Sequence, residues 1–311
     1  MGMPATVPDD PVTGRAPSLF DQRLREKRRA RAVPTLARTA FLHEHAAAAI
    51  ASRLDDIART FPDALCLNAC GGFVPRAVSP DKVTHWISLD PLPAMMREAS
   101  MGVAARTELL PFDTPCFDLV VSFLDLHHLN DVPGALIQAN RVLKPDGLFL
   151  GVTFGGATLH ELRTSLMEAE IALTGGAAQR VAPMADIRDY GALLQRGGFA
   201  LPVTDVDRLT ARYHGLMPLL GDLRAMGETS IAVSGVRQPL SRSVLMRADE
   251  IFRARHADHD GRVRVTFEMV MLTGWAPHES QQKPLRPGSA RQSLAAALGA
   301  SERSAGEKPG S

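Results

Sequence analysis

Apolar positions at Leu36, Phe41, Leu42, Ile50, Leu54 and Ile57 recur at roughly helical spacing and predict an amphipathic helix over 36–59. From about Ala64 the pattern shifts to short apolar runs separated by polar, glycine- and proline-containing stretches. Leu65–Ala69, Thr84–Leu89, Gly102–Ala105 and Phe117–Phe123 read as strands, with a short helix over Pro93–Ser100. Phe117–Phe123 (FDLVVSF) is almost continuously apolar, as expected of a central strand buried on both faces. Asn130 or Asp131 can cap the next helix, with Pro133 in its first turn and a stop near Lys144-Pro145-Asp146-Gly147. Leu148–Thr153 is a fifth strand. Such alternation predicts an α/β, doubly wound, mostly parallel sheet that takes ligands at the carboxyl ends of its strands.

Beyond Thr153 the pattern predicts helices over Thr158–Leu173, Ala185–Gly197, Leu216–Met226 and Ser241–His256. Strands over Pro202–Leu209 and Arg262–Thr273 complete a seven-strand sheet. Met217, Met226, Met246, Met269 and Met271 read as core filler. The expected organisation is a disordered 1–17, an N-terminal helical extension over 18–62 and a main domain over 63–276. That domain carries a helical cap at about 154–240, and a polar tail follows over 277–311.

With 45% hydrophobic and 22% charged residues the chain has a globular composition, and a net charge of +1 argues against a nucleic-acid partner. Three cysteines cannot all pair, no secretory leader precedes them and no apolar run is long enough to span a membrane. A reducing cytoplasm is the expected setting. Cys66 and Cys70 lack further ligands at metal spacing, and His43 and His45 around Glu44 do not form H-E-x-x-H, so no metal site is read. The basic run Arg23–Arg31 is either a solvated helix or a docking element for an acidic partner or an anionic membrane surface.

Four features fall where one ligand can touch them all. The loop LCLNACGGFVP leaves the first strand with Asn68, Cys70 and Gly72. Asp90 ends the second strand, about twenty residues on, where a carboxylate can accept both hydroxyls of a ribose. Glu108 and Leu109, with Leu110, follow the third strand and can meet the edge and faces of an adenine. Phe123, Asp125, His127 and His128 leave the fourth, where a reacting group would lie.

The motifs ELLPF, FDLVVSF, LHHLND and RVLKPDG, in that order, resemble the Rossmann-like class I S-adenosylmethionine (SAM)-dependent methyltransferases of the type 11 group. Outside that region, LFDQRLREKRRAR, FGGATLHELRTSLMEAE, LRAMGE and GWAPHESQQKPLRPGSA are similar to the methyltransferase-like assembly factors of respiratory complex I. The resemblance implies SAM as cofactor and a role in maturing the NADH–quinone oxidoreductase. It further implies either methyl transfer to a protein subunit or SAM-linked hydroxylation of an arginine on an iron–sulfur subunit. For Arg23–Arg31 it is compatible with peripheral contact at the inner membrane.

The loop departs from the family pattern. Cys66 stands at the acidic position, Asn68 and Cys70 at two glycine positions, and only Gly72 is kept; Arg106 replaces the usual aspartate before LLPF. His127 can orient a substrate or act as a base, and Asp125 is a second candidate catalytic group. Glu161, Glu168 and Glu228 in the cap are candidates to receive a substrate guanidinium. Three functional readings stay open: an enzyme acting on a protein partner, a non-catalytic assembly factor of the same fold, and a small-molecule methyltransferase. The last predicts a deep apolar pocket near His127.

Overall fold

The computed structural model describes residues 18–233, 239–282 and 299. The expectations of a disordered 1–17 and of a polar tail beyond 282 therefore fall outside the described residues, Gly299 apart. The chain divides into two units, Met1–Pro277 and His278–Ser311, and the sheet and its helices belong to the first.

Two helices come first, α1 (Gln22–Ala32) and α2 (Phe41–Asp55), the latter preceded by a 3-10 turn at Leu36–Arg38. The Asp21 carboxylate caps α1 by accepting from Leu24 N at 3.0 Å. Then β1 (Asp63–Leu67), α3 (Phe73–Ala77), β2 (His85–Leu89), β3 (Gly102–Val103) and β4 (Phe117–Phe123) follow. The expected helix after β2 is only a 3-10 turn, Pro93–Met96. α4 (Val132–Val142) begins at Asp131, whose carboxylate accepts from Gly134 N at 2.8 Å. β5 (Leu143–Phe154) starts earlier than expected, because Leu143 already pairs with Phe117 ahead of a register shift. The remaining elements are α5 (His160–Thr174), α6 (Ile187–Arg196), β6 (Ala200–Tyr213), α7 (Leu216–Met226), α8 (Arg242–His256) and β7 (Val263–Trp275).

The seven strands form one sheet in the order β3-β2-β1-β4-β5-β7-β6. β1 to β5 run parallel, and β7 inserts antiparallel between β5 and β6. The strand order reverses between β1 and β4, so the loops leaving these strands meet at one crevice. Apolar side chains alternate between the two faces. Ala64 and Cys66 of β1, with Leu119, Val121 and Phe123 of β4, pack toward α2, α5, α7 and α8. Leu65, Leu67, Phe117 and Val120 pack toward α4 and α6. Period-two burial on both faces is what makes FDLVVSF look continuous in sequence. Met226, Met269 and Met271 are core, whereas Met217 and Met246 lie more than half exposed on the outer faces of α7 and α8. No helix among the described residues is long and apolar enough to cross a membrane.

Candidate functional site

The loop after β1 has an unusual backbone. Asn68, Cys70, Gly71 and Gly72 all have positive φ, at 60°, 42°, 76° and 76°. Glycine adopts this region freely and asparagine tolerates it, whereas cysteine does so at a cost. The Asn68 amide donates to the carbonyls of Phe123 and Leu124 at 2.7 and 3.3 Å and so ties the β1 loop to the β4 exit. Cys70 N points at Asp90 Oδ2 at 3.4 Å. The Phe123 ring is buried in the core, so its backbone carbonyl, not its ring, reaches the crevice. Cys66 and Cys70 are both free and buried. Burial pushes the Cys66 thiol well up and the Cys70 thiol up to about 11, so neither is a thiolate nucleophile near neutral pH.

The carboxylates expected to meet a ligand are already engaged. Asp90 is fully buried and takes a bidentate grip from Arg29 of α1, at 3.0 and 2.8 Å. Burial opposes the Arg29 charge, but Asp90 outweighs it and holds the guanidinium pKa above its ordinary value. Asp125, also buried, accepts from Arg25 at 2.6 Å and from the Thr107 hydroxyl. Glu108 accepts from the backbone N–H groups of Asn130 and Asp131 at 3.0 and 3.2 Å, at the entry to α4. Leu109 lies 75% exposed on a turn where Arg106 and Leu109 bridge and is not among the residues lining the crevice, while Leu110 packs into the core. Leu109 therefore does not wall the site.

Arg25 and Arg29 change the reading of the basic run. Spaced one helical turn apart, they point inward, leaving Arg23, Lys27 and Arg31 exposed. The space remaining among Arg25, Arg29, Asn68, Thr107, Glu108 and Asp125 is about 20 Å³, enough for about one water. With α1 seated this way, Arg25 and Arg29 occupy the crevice, and its ribose-type acceptor Asp90 faces a guanidinium.

The open space lies next door. A cavity of about 610 Å³ is bounded by α1, α5, α7 and the segments around 179–184 and 228–232. Its walls are mostly apolar, with Leu24, Leu162, Leu166 and Leu223 among them, and carry Arg28, Arg180 and Glu228 as charged groups; an apolar pocket near His127 is what the small-molecule reading predicts. His128 and Glu228 line it, and His127 lies directly behind, in the 3-10 turn Leu126–His128 that leaves β4. His127 Nε2 and His128 Nε2 stand 3.3 and 3.7 Å from Glu228 Oε2. Thr153 Oγ1 of β5 holds His127 twice, from its backbone N–H at 3.1 Å and from Nδ1 at 3.0 Å. Burial disfavours the Glu228 carboxylate, but the neighbouring His128 and His127 outweigh this and keep its pKa below the usual carboxylate range. Burial likewise lowers the His128 pKa well below its ordinary value, keeping the ring neutral near pH 7.

Of the three cap glutamates, only Glu228 reaches the cavity. Glu161 accepts from the Thr266 N–H and hydroxyl, an internal tie to β7, and Glu168 pairs with Arg255 at the surface. The spacing arguments that excluded a metal site do not extend to this cluster. Among the described residues, His127, His128 and Glu228 form a group of potential metal donors, and the third donor lies a hundred residues along the chain. LRAMGE carries Glu228, but nothing local in sequence marks it as the partner of LHHLND.

α1 and the Glu228 segment are stitched together. Asp21 N donates to Ile231 O at 2.9 Å, Val233 N donates to Leu19 O at 2.8 Å, and Thr35 Oγ1 donates to Ala225 O at 3.0 Å. Arg28 donates to Ser230 O. Gln22 reaches the His128 carbonyl at 2.6 Å. One cover thus closes the crevice and shapes the cavity.

Residues 65–151 match the methyltransferase-domain family. The YcgJ protein of Bacillus subtilis shares the fold, with a TM-score of 0.51 at 18% identity, covering 75% of this chain and 99% of that one. Over most of its length the chain is similar to the mitochondrial arginine-hydroxylase NDUFAF5. The Danio rerio protein is 37% identical over 82% of this chain and 81% of its own. The Homo sapiens protein is 35% identical over 92% of this chain and 85% of its own. Relatives of at least 35% identity that match most of both chains show the family: the chain belongs to that of the arginine-hydroxylase NDUFAF5.

Proposed function

We propose that this protein modifies an arginine side chain of a protein partner during assembly of respiratory complex I, and that the modification is hydroxylation. The observation that carries the reading is the contrast between the two spaces. The SAM crevice is filled by Arg25 and Arg29, while the adjoining 610 Å³ cavity is open and ends on His128 and Glu228. A guanidinium entering that cavity meets the Glu228 carboxylate, which lines it beside His128. The relatives' name supports the same class of substrate. Hydroxylation puts one oxygen atom of dioxygen into a substrate C–H bond and releases the other as water. It draws two protons and an external two-electron donor, so dioxygen and such a donor are the co-reactants of this reading.

A second reading is SAM-dependent methyl transfer from a state in which α1 has left the crevice. Asp90, Gly72 and the turn at Asn68 favour it, since they occupy the strand ends that such a cofactor would use. Here His127 and Asp125 are the candidate groups near the reacting centre. In this reading Asn68, Cys70, Gly72, Asp90 and Glu108 surround the cofactor. The exposed cations of α1, Arg23, Lys27 and Arg31, are available to the partner or to an anionic inner-membrane surface.

Mass spectrometry of partner subunits from cells with and without the protein tests both. Gain of an oxygen atom on an arginine supports the first reading, and gain of a methyl group supports the second. Stable association with no mass change leaves a non-catalytic assembly factor.

A further inference from the structure

We propose that His127, His128 and Glu228 form a binding site for a divalent first-row transition-metal ion of the ferrous class, facing the rim cavity. The site lies at the same rim as the proposed modification, and its existence is testable without substrate.

The donor chemistry narrows the ion. Two imidazoles and one carboxylate make a mixed nitrogen–oxygen set without thiolate. Soft-metal and cysteine-rich structural sites are therefore excluded, and hard all-oxygen calcium or magnesium cages fit poorly. Three protein donors leave coordination positions open, which is the arrangement of reactive centres and not of closed structural ones.

The geometry is close to what such an ion requires. The donor atoms all lie within 4.8 Å of one another, and the two imidazole-to-carboxylate separations are 3.3 and 3.7 Å. An ion bound about 2.1 Å from each donor holds them roughly 3.0–3.4 Å apart. The His127–Glu228 separation falls inside that range, the His128–Glu228 one lies about 0.3 Å outside it, and the two imidazoles lie within 4.8 Å of each other. His127 and His128 are adjacent in one 3-10 turn, with ring centroids 4.0 Å apart. Glu228 is delivered by the end of α7, where Gly227 adopts φ 81° and Glu228 N donates to Leu223 O at 2.9 Å.

Support around the donors points the same way. Thr153 Oγ1 lies 3.0 Å from His127 Nδ1 and fixes the ring; with an ion at Nε2 the same hydroxyl would accept from Nδ1–H, the second contact that metal-bound histidines make. His128 is 5% exposed, and its Nε2 is the ring atom that faces the Glu228 carboxylate, at 3.7 Å. Glu228 and His128 both line the cavity, so ligands to the ion have a route from solvent.

The test is titration of the full-length, metal-stripped protein with Co(II) under nitrogen, followed by calorimetry and visible absorption. One equivalent is expected to bind. Glu228→Gln keeps the size and a hydrogen bond to His127 but removes the anionic donor, and it should lower the affinity at least about tenfold. Thr153→Val acts through His127 and should cost about 10- to 100-fold. Absence of Co(II) binding up to millimolar concentration overturns the proposal, and so does binding unchanged in Glu228→Gln. Proton NMR of the wild-type Co(II) complex needs no variant. Two exchangeable, hyperfine-shifted imidazole signals support the site, and none overturns it. Because no reaction is read, failure here leaves arginine modification standing, and failure of arginine modification leaves the metal result unchanged.

Discussion

Arg29 holds Asp90 through two hydrogen bonds of 3.0 and 2.8 Å, and both residues are buried. The pair pins the N-terminal helix over the carboxyl ends of β1 and β2. Removing one partner strands a charge in a dry site, at a cost of about 3–5 kcal/mol, whereas replacing both with apolar residues of similar size is often neutral. Asp90→Ala should therefore lose several kcal/mol in equilibrium urea unfolding. The double variant Asp90→Leu/Arg29→Met should recover most of that loss. A double variant as unstable as the single one would show that the pair is not the origin of the effect.

The same pair makes a prediction for SAM. Any ribose reaching Asp90 competes with a bidentate guanidinium already in place. Calorimetric titration with SAM should give weak or undetectable binding to the wild type and at least about tenfold tighter binding to Arg29→Ala, which corresponds to about 1.4 kcal/mol. Adding Asp90→Asn to Arg29→Ala should abolish the gain. No difference between wild type and Arg29→Ala would mean that α1 does not control the crevice.

Much of the sheet was legible from periodicity. β4 and α7 fall on the residues where the pattern puts them: α7 lies between Gly215 and Gly227, and the apolar run of β4 ends where Leu124 turns the chain at φ 47°. The crevice was also legible, since Asn68, Asp90, Glu108 and Asp125 do converge on the strand ends. What occupies it was not. In RLREKRRAR every face of the helix carries a cation, so no period marks Arg25 and Arg29 as the buried ones. A separation of four residues is consistent with a single inward face, but identifying that face requires knowing the acids at 90 and 125. Glu228 was legible as a charged residue of the cap and not as the partner of His127, because their contact spans 101 positions and depends on where α7 ends.

His43 on α2 carries a pH prediction. It is fully buried, stacks on Phe73 with centroids 5.3 Å apart, and neither ring nitrogen has a hydrogen-bond partner. Burial pushes its pKa down to about 4; Glu228 and Glu44 oppose the shift and Arg29 adds to it. The unfolded chain takes up this proton near the ordinary value of about 6.5. Between the two values the unfolded state binds more protons, so stability rises with pH through this window and is lost as pH falls below about 6.5. The integrated effect is on the order of 3 kcal/mol. His43→Phe keeps the ring stacking and removes the titration. Urea unfolding at a series of pH values should show a shallower slope from pH 4 to 6.5 in the variant. An unchanged slope would assign it to other groups.

Gly227 sets how closely α1 can approach the end of α7. Its φ is +81°, and a Cβ there would lie 3.3 Å from Arg29 Cγ and 3.4 Å from Ala32 Cβ. Gly227→Ala therefore adds crowding against α1 to a left-handed backbone cost of about 1–2 kcal/mol. Gly175, at the end of α5, isolates the backbone contribution, because its φ is +76° with no neighbour within 4 Å of an added Cβ. Gly175→Ala should lower the Tm modestly and leave α1 protected. Gly227→Ala should lower it further and speed tryptic cleavage within Arg23–Arg31, since the seat of Arg29 is disturbed. If α1 is the gate to the crevice, Gly227→Ala should also raise SAM affinity in the direction of Arg29→Ala, with Asp90 and Arg29 both still present. Equal tryptic protection in the two glycine variants would show that Arg29 holds its place against that crowding, and that the approach at Gly227 does not set where α1 sits.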